Sequence, residues 1–184
     1  MPASIRRCSW PGEDPLYQKY HDKEWGRHCT DERTLFEFLI LESAQAGLSW
    51  ITILRRRNNY RKAFANFNAK KVAAFTEADV RRLLADEGII RNKLKIRAAI
   101  QTAQLFLQVQ KEFGSFYKYL YSFMPDNQPI VNNSPTLIAS SPVSDAISKD
   151  MKKRGFKFFG TTICYAYMQA IGMVNDHIPG CSFK

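Results

Sequence analysis

Four residues at the two ends of the chain have the chemistry of metal ligands. Cys8 and His21 lie near the start of the 184 residues, His177 and Cys181 near the end. Two cysteines with two histidines make a tetrahedral zinc set, and a zinc held by four protein ligands is structural. Free thiols and scattered histidines remain the other reading, because Cys8 and His21 form no tight knuckle and the two pairs stand far apart. A second chemical group is Glu42, which ends the apolar run Leu35–Leu41. A carboxylate in such company must find donors or shift its pKa. It either turns to water at a helix end or faces a pocket and accepts hydrogen bonds from an amino group. Trp10, Tyr17, Tyr20, Trp25 and Trp50 crowd the first fifty residues and include all three tryptophans. Such a set builds either an ordinary core or a stacking pocket for a planar base.

Charge favours a polyanionic partner. Lys and Arg number 27 against 17 Asp and Glu, a net charge of +10. Nucleic acid leads the partners that such a balance suits. The basic residues bunch at Arg55-Arg56-Arg57, Arg61-Lys62, Arg91 to Arg97 and Lys152-Lys153-Arg154. One bunch alone is a solvated helix face; four in a small chain point to a phosphate-facing surface. Gly155, Lys157, Gly160 and Thr161 fall in a turn between two helical stretches, where backbone N–H groups can hold a phosphate. Gly47 allows close backbone approach in a second loop. Its neighbour Leu48 is either core or a wedge that fills a duplex when a base leaves the stack.

The elements that must position these groups read as helical nearly throughout. Thr34–Leu41 begins an apolar helix with Thr30 or Asp31 as its cap, and Leu48–Leu54 starts another after Gly47. Asn58 to Phe67 reads as a third, short helix. Thr76-Glu77-Ala78-Asp79 has the form of a capping box before Val80. A long helix is expected from about Leu94 to Phe113, then an aromatic stretch, then a Pro/Asn/Ser-rich connection from Pro125 to Pro142. Helices to Arg154 and from Thr161 to Ile171 flank the two-glycine turn. Period-2 runs with hairpin turns are lacking, so strands are not expected. The length suits one domain, 1–184. Apolar runs of membrane-spanning or signal-peptide length are missing, and four cysteines fit a reducing cytosol better than a disulfide framework.

Several runs together resemble a known family. They are Asp14-Pro15-Leu16-Tyr17, Tyr20-His21-Asp22, Glu24-Trp25-Gly26, Gln45 to Thr52, Gly88-Ile89-Ile90-Arg91, Lys153 to Phe158, Gly160 to Tyr165, and Val174-Asn175-Asp176-His177. Across Cys8 to Cys181 the chain resembles bacterial 3-methyladenine-DNA glycosylase I. The resemblance implies an all-α helix-hairpin-helix DNA glycosylase fold, with the helix-hairpin-helix near 150–172. It further implies excision of 3-methyladenine from double-stranded alkylated DNA by a bacterial, cytoplasmic and monomeric enzyme. Cys8, His21, His177 and Cys181 become the ligands of one structural Zn2+ joining the terminal segments, and His28 falls outside the set. Glu42 becomes the recognising and catalytic carboxylate, with Tyr20 and Trp50 as pocket walls and Trp10, Tyr17 and Trp25 as further candidates. Gly47, Leu48, Gly155, Lys157, Gly160 and Thr161 become DNA contacts. The wider superfamily carries an aspartate that assists hydrolysis where this chain has Asn175; Asp176 is one position off and is expected to point elsewhere. The matched pocket runs contain no lysine, which implies a monofunctional enzyme. A non-catalytic DNA-binding module, a glycosylase for other alkylated purines and a zinc hydrolase are the competing readings; the last needs an open metal position.

Overall fold

Short-range capping signals start most helices in the computed structural model, which describes residues 5–184. Met1–Ser4, part of the stretch read above as lacking an apolar leader, lie outside the described residues. α1 (Pro15–Lys23) begins at Asp14, whose side chain accepts from the N–H groups of Leu16 and Tyr17. α2 (Glu32–Gln45) begins at Asp31, which accepts from the Thr34 N–H. α3 (Trp50–Ala63) leads through a left-handed 3-10 turn at Ala65–Phe67 to α4 (Ala69–Ala73). α3 runs unbroken through Asn58, so the separate helix read from Asn58 to Phe67 is not formed. Ile53, Leu54, Arg57 and Tyr60 make one buried face along it, and their packing outweighs the weak helix propensity of the asparagines. α5 (Glu77–Ala85) carries the Thr76–Asp79 capping box.

α6 (Lys93–Phe113) starts at Asn92, which accepts from the N–H groups of Leu94 and Lys95. Glu32 of α2 reaches the N–H groups of Phe116 and Tyr117 and so ties the start of α7 (Phe116–Tyr121) to the centre of the molecule. α8 (Pro142–Arg154) begins with a reciprocal Ser141–Ser144 box, and α9 (Thr161–Ala170) follows after the two-glycine turn. The Pro125–Pro142 connection holds a feature absent from the sequence reading. Ile130–Val131 (β1) pairs in parallel with Val174–Asn175 (β2). Two residues are too few to display a period-2 pattern. Apart from this pair the architecture is helical, and among the described residues no helix is long and apolar enough to cross a membrane.

α2 is the axis of the molecule. Leu35 to Leu41 are buried on every side, as befits a helix covered by α3, α6, α7 and α9. It also carries two buried glutamates, Glu37 and Glu42, and their surroundings differ sharply.

Candidate functional site

A cavity of about 200 Å3 opens where five separate segments meet. α1 supplies Tyr17 and Tyr20, which are three residues apart and therefore share a helical face. Trp10 and Trp25 come from either side of α1, Glu42 and Gln45 from the end of α2, and Trp50 from the start of α3. α9 contributes Ala166 and Gln169, and the half-exposed Leu137 of the long connection completes the lining. All five aromatic residues picked from the sequence are therefore brought together with Glu42.

The aromatic rings form one continuous wall. Trp10 stands edge-on to Tyr17 at 4.8 Å and to Trp25 at 5.0 Å between ring centroids. Tyr20 lies 5.4 Å from Trp50 at a tilt of 54°. That is direct ring contact. Tyr20 and Trp50 are thus adjoining parts of a wall, whereas two plates enclosing a base between them need a gap of about 7 Å, twice the carbon–carbon contact distance. Phe38 stacks behind Trp50 at 6.3 Å, and the Arg57 guanidinium lies 4.9 Å over the Phe38 ring, so the wall is braced from the core.

Polar atoms without partners mark the cavity. Among the described residues, the buried side-chain nitrogens and oxygens lacking any hydrogen bond are Trp10 Nε1, Trp50 Nε1 and Glu42 Oε2, and all three residues line this cavity. Two donors and one acceptor are thus left for an occupant, at a cost that the fold accepts here and not elsewhere in its core. Glu42 is 2% exposed. Burial pushes its carboxyl pKa up to about 8. Burial, and secondarily the Glu42 charge, raises the Tyr17 phenol as well.

The loop after α2 is held from below. Lys95 donates to the carbonyl oxygens of Ala44 at 2.9 Å and Ala46 at 2.6 Å, closing the end of α2 with a cation. Gly47 turns the chain with φ +79°, and Leu48 is left 39% exposed at the tip. Ser49 occupies the capping position of α3, but its hydroxyl bonds the Thr52 hydroxyl and caps no backbone group.

The turn between α8 and α9 presents backbone. Gly155 ends α8 in the left-handed region at φ +104°, and Gly160 precedes α9 without a side-chain cap, so the first N–H groups of α9 are not covered by a capping side chain. Lys157 and Gly160 are exposed. The Thr161 hydroxyl donates to Asp145 at 2.5 Å, so that side chain belongs to the helix pair, and any DNA contact falls to its backbone N–H. Charge pairing also trims the expected basic surface. Arg154 is spent on Glu112 and Asp150, Arg55 on Asp14, Arg97 on Glu77, and Arg57 is buried between Glu24 and Glu37.

The terminal cysteines and histidines converge. One ligand atom each from Cys8, His21 and Cys181 lies within 4.8 Å of the others, all three residues buried. Cys181 Sγ is 3.7 Å from His21 Nε2. The edge between a sulfur and a nitrogen ligand of tetrahedral zinc is about 3.6 Å. His177 stands beside them, its ring 4.7 Å from that of His21. His21 Nδ1 donates to Asp22 at 2.8 Å, and His177 Nδ1 to the Asn175 side-chain oxygen at 2.8 Å. Each Nε2 therefore carries a lone pair, the orientation that outer partners impose on metal-binding histidines. His177 Nε2 lies 3.3 Å from the His21 carbonyl oxygen, and His177 is outside the group of three ligand atoms formed by Cys8, His21 and Cys181. Burial pulls the His177 imidazole down to about 4 and lowers His21 too, keeping both in the neutral form that ligation requires. The residues fit a zinc ion.

Asn175 is thus turned to the cluster and away from the cavity. Asp176 points elsewhere, as expected, but inward: it is buried and bonded by Asn132, Tyr165 and Gln169. Gln169 was missed in the sequence; the available signal was a glutamine near the end of the otherwise apolar α9. Cys164 is fully buried core, and His28 is exposed with its Nδ1 on the Tyr121 hydroxyl.

Comparison with known proteins places these features in context. A family model described as methyladenine glycosylase matches residues 10–184. The chain is similar to DNA-3-methyladenine glycosylase 1 of Escherichia coli strain K12, at 52% identity over 180 residues and 96% of both chains. It is similar in structure to a crystal structure of 3-methyladenine DNA glycosylase I, with TM-score 0.92 and 51% identity over 96% of this chain and 98% of the other. A tyrosine-to-phenylalanine variant of 3-methyladenine DNA glycosylase I, solved in complex with 3-methyladenine, matches with TM-score 0.93 at 34% identity over 98% of both chains.

Proposed function

The chain belongs to the methyladenine glycosylase family, and from that premise we propose that it excises 3-methyladenine from alkylated duplex DNA by hydrolysing the N-glycosidic bond, leaving an abasic site. The observation that carries this reading is the cavity wall of aromatic rings around one buried, unpartnered carboxylate. An everted purine stacks against the Tyr20–Trp50 wall, with Trp10, Tyr17 and Trp25 closing the cavity. Glu42 accepts a hydrogen bond from the exocyclic amino group, and the two indole N–H groups meet acceptors on the ring edge. A cationic N3-methylated base lowers the cost of ionising Glu42, which an uncharged base does not.

The chemistry asks little of the protein. N3-methylation gives the ring a positive charge, so the base leaves neutral and the C–N bond is weak from the start. Stacking, hydrogen bonding and placement near the bond-breaking geometry then suffice, without the superfamily's aspartate. The helix-hairpin-helix of α8 and α9 holds a DNA phosphate through the backbone of Gly155, Gly160 and Thr161, with Lys157 beside it. Leu48, on the loop tethered by Lys95, fills the place of the extruded nucleotide. Cys8, His21, His177 and Cys181 hold one structural zinc, which ties the terminal segments behind the aromatic wall; four protein ligands leave no position for substrate. The whole chain acts as one monomeric glycosylase domain working on DNA in the bacterial cytoplasm.

The test is incubation with dimethyl-sulfate-treated DNA and chromatography of the released bases. Release of 3-methyladenine supports the reading, and an empty chromatogram refutes it.

A further inference from the structure

We propose that Gln169 holds the water that attacks C1′ and that Asp176 is the residue that positions it for this task; the inference rests on the glycosylase reading above. Gln169 lines the cavity from α9, and its Nε2 donates to Asp176 at 2.7 Å. A carboxylate only accepts, so the amide nitrogen must face Asp176 and cannot exchange places with the oxygen. Asp176 is itself immobilised. Tyr165 donates to the same carboxylate oxygen at 2.8 Å, and Asn132 to the other at 2.5 Å. With one N–H on Asp176, Gln169 keeps its second N–H and Oε1, and Oε1 is the acceptor it can offer, in an orientation that Asp176 fixes.

The buried acceptor of the cavity that lacks any partner is Glu42 Oε2, and the base takes that one. Gln45 also lines the cavity, but its amide makes one long contact, 3.4 Å to the Leu48 carbonyl oxygen, and no carboxylate sets its orientation. The path of the chain suits Gln169 as well. The phosphate-gripping turn opens α9 at Thr161, and Gln169 lies about 12 Å further along the same helix at 1.5 Å per residue. α9 thus carries both the turn and Gln169.

In the reaction the C1′–N9 electron pair leaves with the base, which departs as neutral 3-methyladenine. The water oxygen bonds C1′, and its proton passes to solvent. Gln169 takes no proton; its oxygen accepts a hydrogen bond from the water and aims a lone pair at C1′.

Single-turnover release of 3-methyladenine from dimethyl-sulfate-treated DNA, measured beside calorimetric affinity for the free base, tests this. Gln169→Met keeps the length of the side chain and removes its oxygen. It should slow release roughly tenfold to hundredfold with affinity unchanged within about twofold. Asp176→Asn frees the amide to turn over and should slow release similarly, and the double variant should be no slower than the slower single one. Wild-type release rates in Gln169→Met, equal losses of rate and affinity, or additive effects in the double variant would overturn the inference. A wild-type protein that releases no 3-methyladenine instead overturns the glycosylase reading, before any variant is compared.

Discussion

Glu37 and Glu42 are the same residue type, five positions apart on one helix, and both are buried at 6% and 2% exposure. Glu37 is satisfied. Arg57 donates to it at 2.7 Å and Arg61 at 2.9 Å, and Arg57 in turn holds Glu24. Glu42 has an oxygen with no partner and a pKa pushed up to about 8 by burial. The first glutamate is a structural member of a charged network, and the second is held in reserve for a ligand. Burial of a charge is therefore no sign of function here; burial without a partner is.

Breaking each glutamate separates the two roles. Glu37→Ala leaves the Arg57 guanidinium under-compensated in the core, and denaturant unfolding should show a loss of about 3 kcal/mol. Base release by the protein that remains folded should stay at the wild-type rate. Glu42→Gln should do the opposite. Release of 3-methyladenine falls by about a hundredfold, from loss of the carboxylate charge that faces the cationic base in a dry site, while stability near neutral pH rises.

The pH dependence sharpens that contrast. The folded Glu42 carboxyl has its pKa raised from 4.5 to about 8, so the folded chain keeps a proton that the unfolded chain loses. The stabilisation from that proton is complete below about pH 4.5 and drains away as pH rises through about 8. At pH 7 the loss approaches about 3 kcal/mol, taking 1.36 kcal/mol per pKa unit. The wild type should therefore lose stability between pH 5 and 8 relative to Glu42→Gln, measured by parallel urea titrations. Equal slopes for the two would remove the burial argument.

A third region supplies a control. The terminal cluster is polar and buried like the cavity, but each histidine has its outer nitrogen anchored. Metal analysis should give one zinc per chain, and Cys181→Ser should lose it together with several kcal/mol of stability. The least visible effect is a null. Borohydride should trap no covalent adduct with DNA, because the cavity is lined by no lysine that could form a Schiff base.

Much of this was legible before the structure because its signals are local. The Asp31 cap and the Thr76–Asp79 box lie within four residues of the helices they start. The aromatic set and Glu42 stood out by type and by the company they keep. What was not legible depends on contacts across the chain. Arg57 reads as part of a surface bunch, yet it is buried by partners 20 and 33 residues away. Arg154 reads as a phosphate ligand, yet Glu112 of α6 claims it. Gln169 and Leu137 belong to no motif and reach the cavity only because α9 packs against α2 and β1 pairs with β2 beyond it. The Tyr20–Trp50 pair was named from the family resemblance, but its contact geometry, adjoining instead of facing, needed coordinates.

Calorimetry with free 3-methyladenine at pH 7 tests the contrast between the two glutamates most directly. The wild type and Glu37→Gln should bind the base alike, and Glu42→Gln should bind about tenfold more weakly, the worth of one hydrogen bond in a buried site. Equal affinity in all three proteins would contradict the assignment of Glu42 to the base.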